Sequence, residues 1–487
     1  MGAISRRSLI VAASALSATA IAGCSSTATS SGPQTPGAAG SKPAGPPVKL
    51  RWQDHFSTFQ KFHADWAKQL SAKENLDIEF TYIEASKAPQ AWQLAHQSKQ
   101  MPDVFSNVIG IPLPALIKDN WLSEAKLSQA ALDYIPKSAF AENLSTAGGK
   151  VYGLPVMSGQ QYWALPWFNK EYAAKAGVDV KDQKWSYDQF IELLKKLKTA
   201  SGSQWAPMML ALGDPGRMRD HIDDLAQAGG FPGYQGVQYV DGAYGYTHPA
   251  YEAAVELYKR IKVEGLLAPG AESFSVANSR QRWASGAAAC YMDGPWSPGG
   301  SKVLVPTFVD KMEVSEILLP GSGERTTYRG APGPTFYISS DSKDPEAASK
   351  IFDSMATPEY FAQLASMMDQ PPLDLDSVEK SDAIEPYKRV IGYFKKTVKL
   401  APTPLAKPGV AAVAALMKPI TPHLGNIIQG YLGGDVTDLK GALKKLNDQY
   451  SAEREVAVKE AAKTGSTVSA ADWGFSDWKP GGDYKKS

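Results

Sequence analysis

Gly149 to Gly177 reads GKVYGLPVMSGQQYWALPWFNKEYAAKAG, with two Gly- or Pro-marked turns, an aromatic cluster of Tyr162, Trp163, Trp167 and Phe168, and a helix-like run that closes at Gly177. Turns of the Gly-Lys and Gly-Leu-Pro kind end one element and start another, so a stretch of this composition can carry the chain from one lobe to another. A simple β-hairpin would use the same signals, and the decision between the two rests on what surrounds the stretch.

The segments that precede it read as a β-α-β unit. Val48, Leu50 and Trp52 alternate as in a strand, Phe59, Phe62, Trp66 and Leu70 mark one helix face, and Ile78-Phe80-Tyr82 forms the next strand. Parallel strands joined in this way place Gln53–His55 at the carboxyl edge of a sheet, where open α/β sheets bind ligands. Asp54 and His55 are therefore candidate cleft residues. Downstream, Ser186 and Gln189 have the spacing of a capping box ahead of Phe190, Leu193, Leu194 and Leu197, which predicts a helix. Ala206–Leu212 reads as a buried strand ending in the loop Gly213-Asp214-Pro215-Gly216-Arg217, either a solvated turn or a wall of a cleft. Asp344 with Pro345, and Thr357 with Pro358, open two further helices. The chain from there to about Tyr450 is helical in pattern, with a break at Gly433-Gly434.

Several of these segments resemble bacterial extracellular solute-binding proteins of the sugar-binding family, to which maltose-binding protein belongs. The opening stretch matches that family's crossover, Pro102-Asp103-Val104 its "PDV" strand, and Trp185–Phe190 its "TWDEF" helix. The most specific match is SGAAACYMDGPWSPGG, Ser285–Gly300, to "GkaAM…GPW", and Leu319-Pro320-Gly321 resembles the second crossover. The resemblance implies an α/β, two-lobed, type II periplasmic-binding-protein-like fold with hinged lobes and a ligand cleft between them. Lobe 1 would comprise 48–156 and 321–365, lobe 2 157–320 and 366–475, with a C-terminal tail at 476–487. It also implies Trp296 as a stacking platform for a pyranose ring, with Asp103 and Asn107 on the cleft side of the "PDV" strand, Tyr162, Trp163 and Asp214 from the second lobe, and Arg329 near the return strand. One departure is visible: near Pro408-Gly409-Val410 the chain lacks the late stacking aromatic of maltose-binding protein.

The ends carry separate information. Ser5-Arg6-Arg7, an apolar run from Leu9 to Ala22 and Ile21-Ala22-Gly23-Cys24 resemble a lipoprotein signal peptide over 1–23, with Cys24 as the lipidated residue; only a thiolate is nucleophilic enough to form the thioether at neutral pH. The twin-arginine and the general export routes both remain open. Residues 24–47 are nearly all Ser, Thr, Gly, Pro and Ala, a composition suited to a flexible tether. Removing residues 1–23, which hold two Arg and no acid, leaves 49 basic against 50 acidic residues, so there is no electrostatic footprint for nucleic acid. Cys290 is the other cysteine. No phosphate loop, HExxH helix, G-x-S-x-G elbow or CxxC pair is present, and the six His lack ligand spacing; no cofactor, metal or catalytic residue is expected. The expectation is a non-enzymatic, monomeric lipoprotein on the extracytoplasmic face of the cell membrane, which delivers a mono- or oligosaccharide to the permease subunits of an ABC transporter with a cytoplasmic ATPase. Paired carboxylates about 5 to 9 Å apart can be distant in sequence, so a secreted glycoside hydrolase is the alternative, with a carbohydrate-binding cell-surface protein as a third reading.

Overall fold

Alternating Val48, Leu50 and Trp52 do form a strand, β1 (Val48–Asp54), in the computed structural model, which describes residues 45–85, 87–107 and 111–484. Cys24 and the residues read above as a signal peptide lie outside the described residues, as does most of the segment read as a tether. The helix α1 (Gln60–Glu74) buries Phe62, Trp66 and Leu70 on one face and stops at Asn75, whose φ of 51° is left-handed, a conformation Asn tolerates better than most residues. The strand β2 (Leu76–Tyr82) then runs parallel to β1, in register from Val48 with Leu76 to Asp54 with Tyr82. After the helix α2 (Ala88–Gln97), β3 (Val104–Ser106) pairs with the other edge of β1, also parallel.

The opening stretch supplies β4 (Gly153–Leu154) and then β5 (Leu165–Asn169). The capping box holds as spaced: Ser186 Oγ accepts from Gln189 N and Gln189 Oε1 accepts from Ser186 N, at the start of α3 (Tyr187–Ser201). There follow β6 (Ala206–Met209), α4 (Pro215–Ala228), β7 (Ala288–Asp293), β8 (Met312–Val314) and β9 (Phe336–Ile338). The strands make two sheets, β2-β1-β3-β9-β4 and β8-β5-β7-β6. Each sheet is mixed, since β9 runs antiparallel to β3 and β4, and β5 antiparallel to β7 and β8. The fold is thus α/β and two-lobed, and the stretch Gly149–Gly177 gives one strand to each sheet.

Each sheet has its own apolar core. Trp52, Phe59 and Leu154 pack with Phe336, Phe352 and Tyr360 around the first, while Trp167, Phe190, Leu225 and Trp283 pack with Tyr387 and Phe394 around the second. The chain therefore passes between cores three times, and the passages lie side by side. Ser158 N donates to Pro371 O and Leu373 N to Val156 O, both at 2.9 Å, as an antiparallel pair. The middle passage in chain order, Gly330–Thr335, is tied in by Thr335 N donating to Leu154 O (2.8 Å) and Val156 N donating to Thr335 Oγ1 (3.0 Å).

Two features depart from the sequence reading. The region expected to be helical up to Tyr450 contains a short strand, Val398–Leu400, parallel to Thr327–Arg329; three residues carry no periodicity, and the partner is about seventy residues away in the chain. The last long helix also runs on to Ala462, because Ala457 and Ala461 bury against Val410, Val413 and Trp473. Cys290, in the middle of β7, is fully buried and unpaired, and burial pushes its thiol pKa well above the ordinary value. No helix among the described residues is long and apolar enough to cross a membrane.

Candidate functional site

The carboxyl edge of the first sheet presents less than its sequence suggests. Asp54, at the end of β1, has no exposed surface: its carboxylate is bonded to His63 Nδ1 and accepts from Phe56 N at 3.1 Å, and His63 Nε2 lies 2.9 Å from Tyr360 Oη. A carboxylate removed from water needs such partners, and these tie α1 to the sheet, so Asp54 is corrected from a cleft residue to an internal anchor. Asp103 is corrected too. It precedes β3, at the amino edge of the parallel strands, and its carboxylate accepts from Arg51 N (2.8 Å) and Ser342 Oγ (2.6 Å). The edge itself carries His55 and Asn107, both partly exposed. His55 Nδ1 is 2.7 Å from Ser106 Oγ, and burial lowers its imidazole pKa against the opposing pull of Asp54. Asn107 is fixed by its N–H to Thr335 O (2.8 Å) and its side-chain amide to Pro334 O (3.2 Å).

The second sheet presents an aromatic and cationic group. β7 ends at Asp293, fully buried, which accepts from Arg280 Nε (3.0 Å) and Nη2 (2.7 Å) on one oxygen and from Trp296 Nε1 (2.9 Å) on the other. Burial opposes its ionisation, but Arg280 beside it and Arg217 nearby hold the carboxyl below the usual range. The intervening Gly294 permits this fold-back, since a Cβ there would stand 2.3 Å from the Trp296 ring. Trp296 is partly exposed and meets Trp163 edge to face, with ring centres 5.1 Å apart. Arg217, in the first turn of α4, lies over both indoles, 4.7 Å from the centre of Trp296 and 5.3 Å from that of Trp163. Asp214 caps the same helix, its Oδ1 accepting from Arg217 N at 3.1 Å. Tyr162 is corrected to a packing residue: it is fully buried, edge-on to Phe394 at 4.8 Å.

Two residues further along α4, Arg219 faces a cavity of about 510 Å3 that is walled by Tyr234, Tyr239, Tyr244, Tyr246 and Trp473 and by the middle passage, Gly330–Gly333. Arg329 borders it with its guanidinium turned inward, paired with Asp224 and donating to Gln227 Oε1 (2.7 Å) and Tyr328 O (2.8 Å). Asp224 in turn accepts from Trp163 N at 2.5 Å, so one buried network holds both the cavity wall and the tryptophan pair. Flat aromatic faces beside a few fixed polar groups suit a ring-shaped polar solute. Among the described residues no group of His, Cys, Asp and Glu stands together as a metal set.

The sequence model of the family described as bacterial extracellular solute-binding protein matches residues 52–362. The chain belongs to that family. Curated proteins offer no sequence match to this solute-binding protein. Among solved structures, it is similar to the maltotriose-binding protein of Thermus thermophilus bound with maltotriose (16% identity, covering 84% of this chain and 100% of that one, TM-score 0.60). It is also similar to a solute-binding protein from Thermotoga lettingae bound with α-D-tagatose (17%, 84% and 100%, 0.63), and to the GacH receptor of Streptomyces glaucescens, solved unliganded and with acarbose (16%, 84% and 99%, 0.63). At such identities the likeness is one of fold.

The structure of this solute-binding protein brings Trp163, Asp214 and Trp296 together, joins Arg329 to them through Asp224, sets His55 and Asn107 on the other lobe, and leaves Asp54, Asp103 and Tyr162 aside. Arg217 and the tyrosine wall were not foreseen. The run GYQGVQYVDGAYGY, Gly233–Tyr246, was the available signal for the wall, with tyrosines crowded between glycine turns. Arg217 had a weaker one, as the base in a loop from which only the acid was singled out.

Proposed function

We propose that this protein is the capture subunit of an ABC importer, tethered to the extracytoplasmic face of the membrane through a lipid on Cys24, which binds a mono- or oligosaccharide between lobe 1 (48–156 and 321–365) and lobe 2 (157–320 and 366–475) and hands it to the permease as a monomer. The observation that carries the reading is the aromatic and arginine lining of the second lobe, Trp163, Trp296 and the tyrosine-walled cavity, set beside three adjacent passages that can bend as one hinge. Ligand held by both lobes would stabilise the closed arrangement through its differential affinity for it. Solved proteins of the same fold are bound with maltotriose and α-D-tagatose, which supports a sugar as the solute. Binding of this kind needs no catalytic group.

A thermal-shift panel of mono- and oligosaccharides tests the reading, because a ligand at a hundred times its dissociation constant adds about 2.7 kcal/mol to the folded state. A panel in which no saccharide raises the melting temperature would defeat it. Cys24→Ser is expected to abolish partitioning into the detergent phase, since a hydroxyl cannot take the lipid; unchanged partitioning would place the anchor elsewhere.

A further inference from the structure

Among the described residues, Arg217 is the one cation of this lining with no acceptor. Its Nε and Nη1 are buried and make no hydrogen bond, although a guanidinium has five N–H groups to satisfy. The carboxylates around it are each engaged by something else. Asp293 is taken by Arg280 and Trp296 Nε1, Asp214 by the backbone of its own helix, Asp220 by Arg219 at 2.7 Å, Asp224 by Arg329, and Asp369 by Thr58 at 2.5 Å. The indoles of Trp163 and Trp296 attract the cation through their faces, but they accept nothing from its N–H groups. Leaving buried donors unmet is costly, so this guanidinium is suited to an acceptor brought in by a bound solute.

Resting on the sugar-binding reading, we infer that the solute is an acidic saccharide, a uronic acid or an oligomer containing one, whose carboxylate pairs with Arg217 while its ring lies against Trp296 or Trp163. A carboxylate matches this site better than a neutral hydroxyl because a guanidinium edge offers two parallel N–H groups to two oxygens. It also matches better than a phosphate dianion, since the neighbouring cations Arg219, Arg280 and Arg329 are all already paired. At the carboxyl edge of the first lobe's sheet, His55 and Asn107 are partly exposed, and neither is an acid that would repel a carboxylate.

The test is titration calorimetry on the full-length protein with matched probes: galacturonate against galactose, glucuronate against glucose, digalacturonate against its dimethyl ester, and glucose 6-phosphate as a separate anion. At least one acid is expected to bind about tenfold or more tightly than its neutral partner, the size of one charge-assisted hydrogen bond. In Arg217→Gln the ratio of the two constants should fall to near one, with Arg217→Lys in between, and the wild-type preference should weaken with added salt. Neutral partners binding as well as the acids, or an acid preference that persists in Arg217→Gln, would overturn the inference and leave sugar capture standing. Tighter binding of the phosphate would overturn the choice of carboxylate. Failure of every saccharide, acidic and neutral, would overturn sugar capture and this inference together.

Discussion

Asp54 and Asp293 occupy equivalent places, each the last residue of a strand flanked on both sides within its sheet, and each is fully buried. In the first lobe the buried acid reaches back to His63 and fastens a helix. In the second it reaches sideways to Arg280 and forward to Trp296, and so fastens an aromatic side chain that remains partly exposed. The acid touches solvent in neither lobe; the difference is in what it holds. The partly exposed side chains therefore lie one residue shell beyond the charged strand ends, and of these two acids it is the one in the second lobe that fixes such a side chain in place.

Replacing Asp293 with Ala is the severest way to break that contrast, because it leaves Arg280 buried without its counter-charge and unties Trp296. A loss of about 3–5 kcal/mol in urea unfolding is expected, and saccharide affinity should fall in the folded fraction as well. Asp54→Ala should cost about 2–4 kcal/mol through the orphaned His63 and Phe56 donors while changing saccharide affinity by less than about threefold, within ordinary calorimetric scatter for an indirect effect. Stability intact with affinity lost would make Asp54 a ligand contact after all.

A third buried acid sharpens the picture. Asp223 accepts from Tyr251 Oη at 2.6 Å, has no partner for its second oxygen among the described residues, and is pushed by burial to about 7. A carboxyl raised in the folded state keeps a proton that the unfolded chain releases near pH 4, so its contribution is fully present below about pH 4 and is lost progressively as pH rises to about 7, by a few kcal/mol. The melting temperature should accordingly fall between about pH 4 and 7 and level off above that, and Asp223→Asn should remove that part of the fall; an unchanged pH profile would show that the group stays ionised. Trp296→Ala is the mildest change to the fold, with about 1–2 kcal/mol expected because the ring is only partly buried, against 3–5 for a core tryptophan. Its effect on saccharide affinity should be larger, roughly five- to a hundredfold.

What could be read from the chain alone follows from how local each signal is. The Ser186–Gln189 capping box needs four consecutive residues, and it formed as spaced. Gly294-Pro295 could be read as a turn after an apolar strand, and it does place Trp296 just beyond the end of that strand, at Asp293. Three of the candidates lie elsewhere for different reasons: Asp54 ends a strand, where a shift of one position reverses the face, Asp103 stands before its strand at the opposite edge of the sheet, and Tyr162, outside any strand, packs edge-on to Phe394. The Val398–Leu400 strand and the isolation of Arg217 depend on partners far away in sequence, and in the second case on what five separate carboxylates are doing elsewhere. No local pattern records that.

The burial of Cys290 has a practical side. A thiol with no solvent access and a raised pKa reacts slowly with maleimides and disulfides, so in a Cys24→Ser background the folded chain has no competing thiol for a label. A cysteine introduced at Leu405, which is 42% exposed and borders the tyrosine-walled cavity, could then carry a single environment-sensitive fluorophore. The resident cysteine, chemically silent where it sits, would make the protein a ready optical sensor of its own solute.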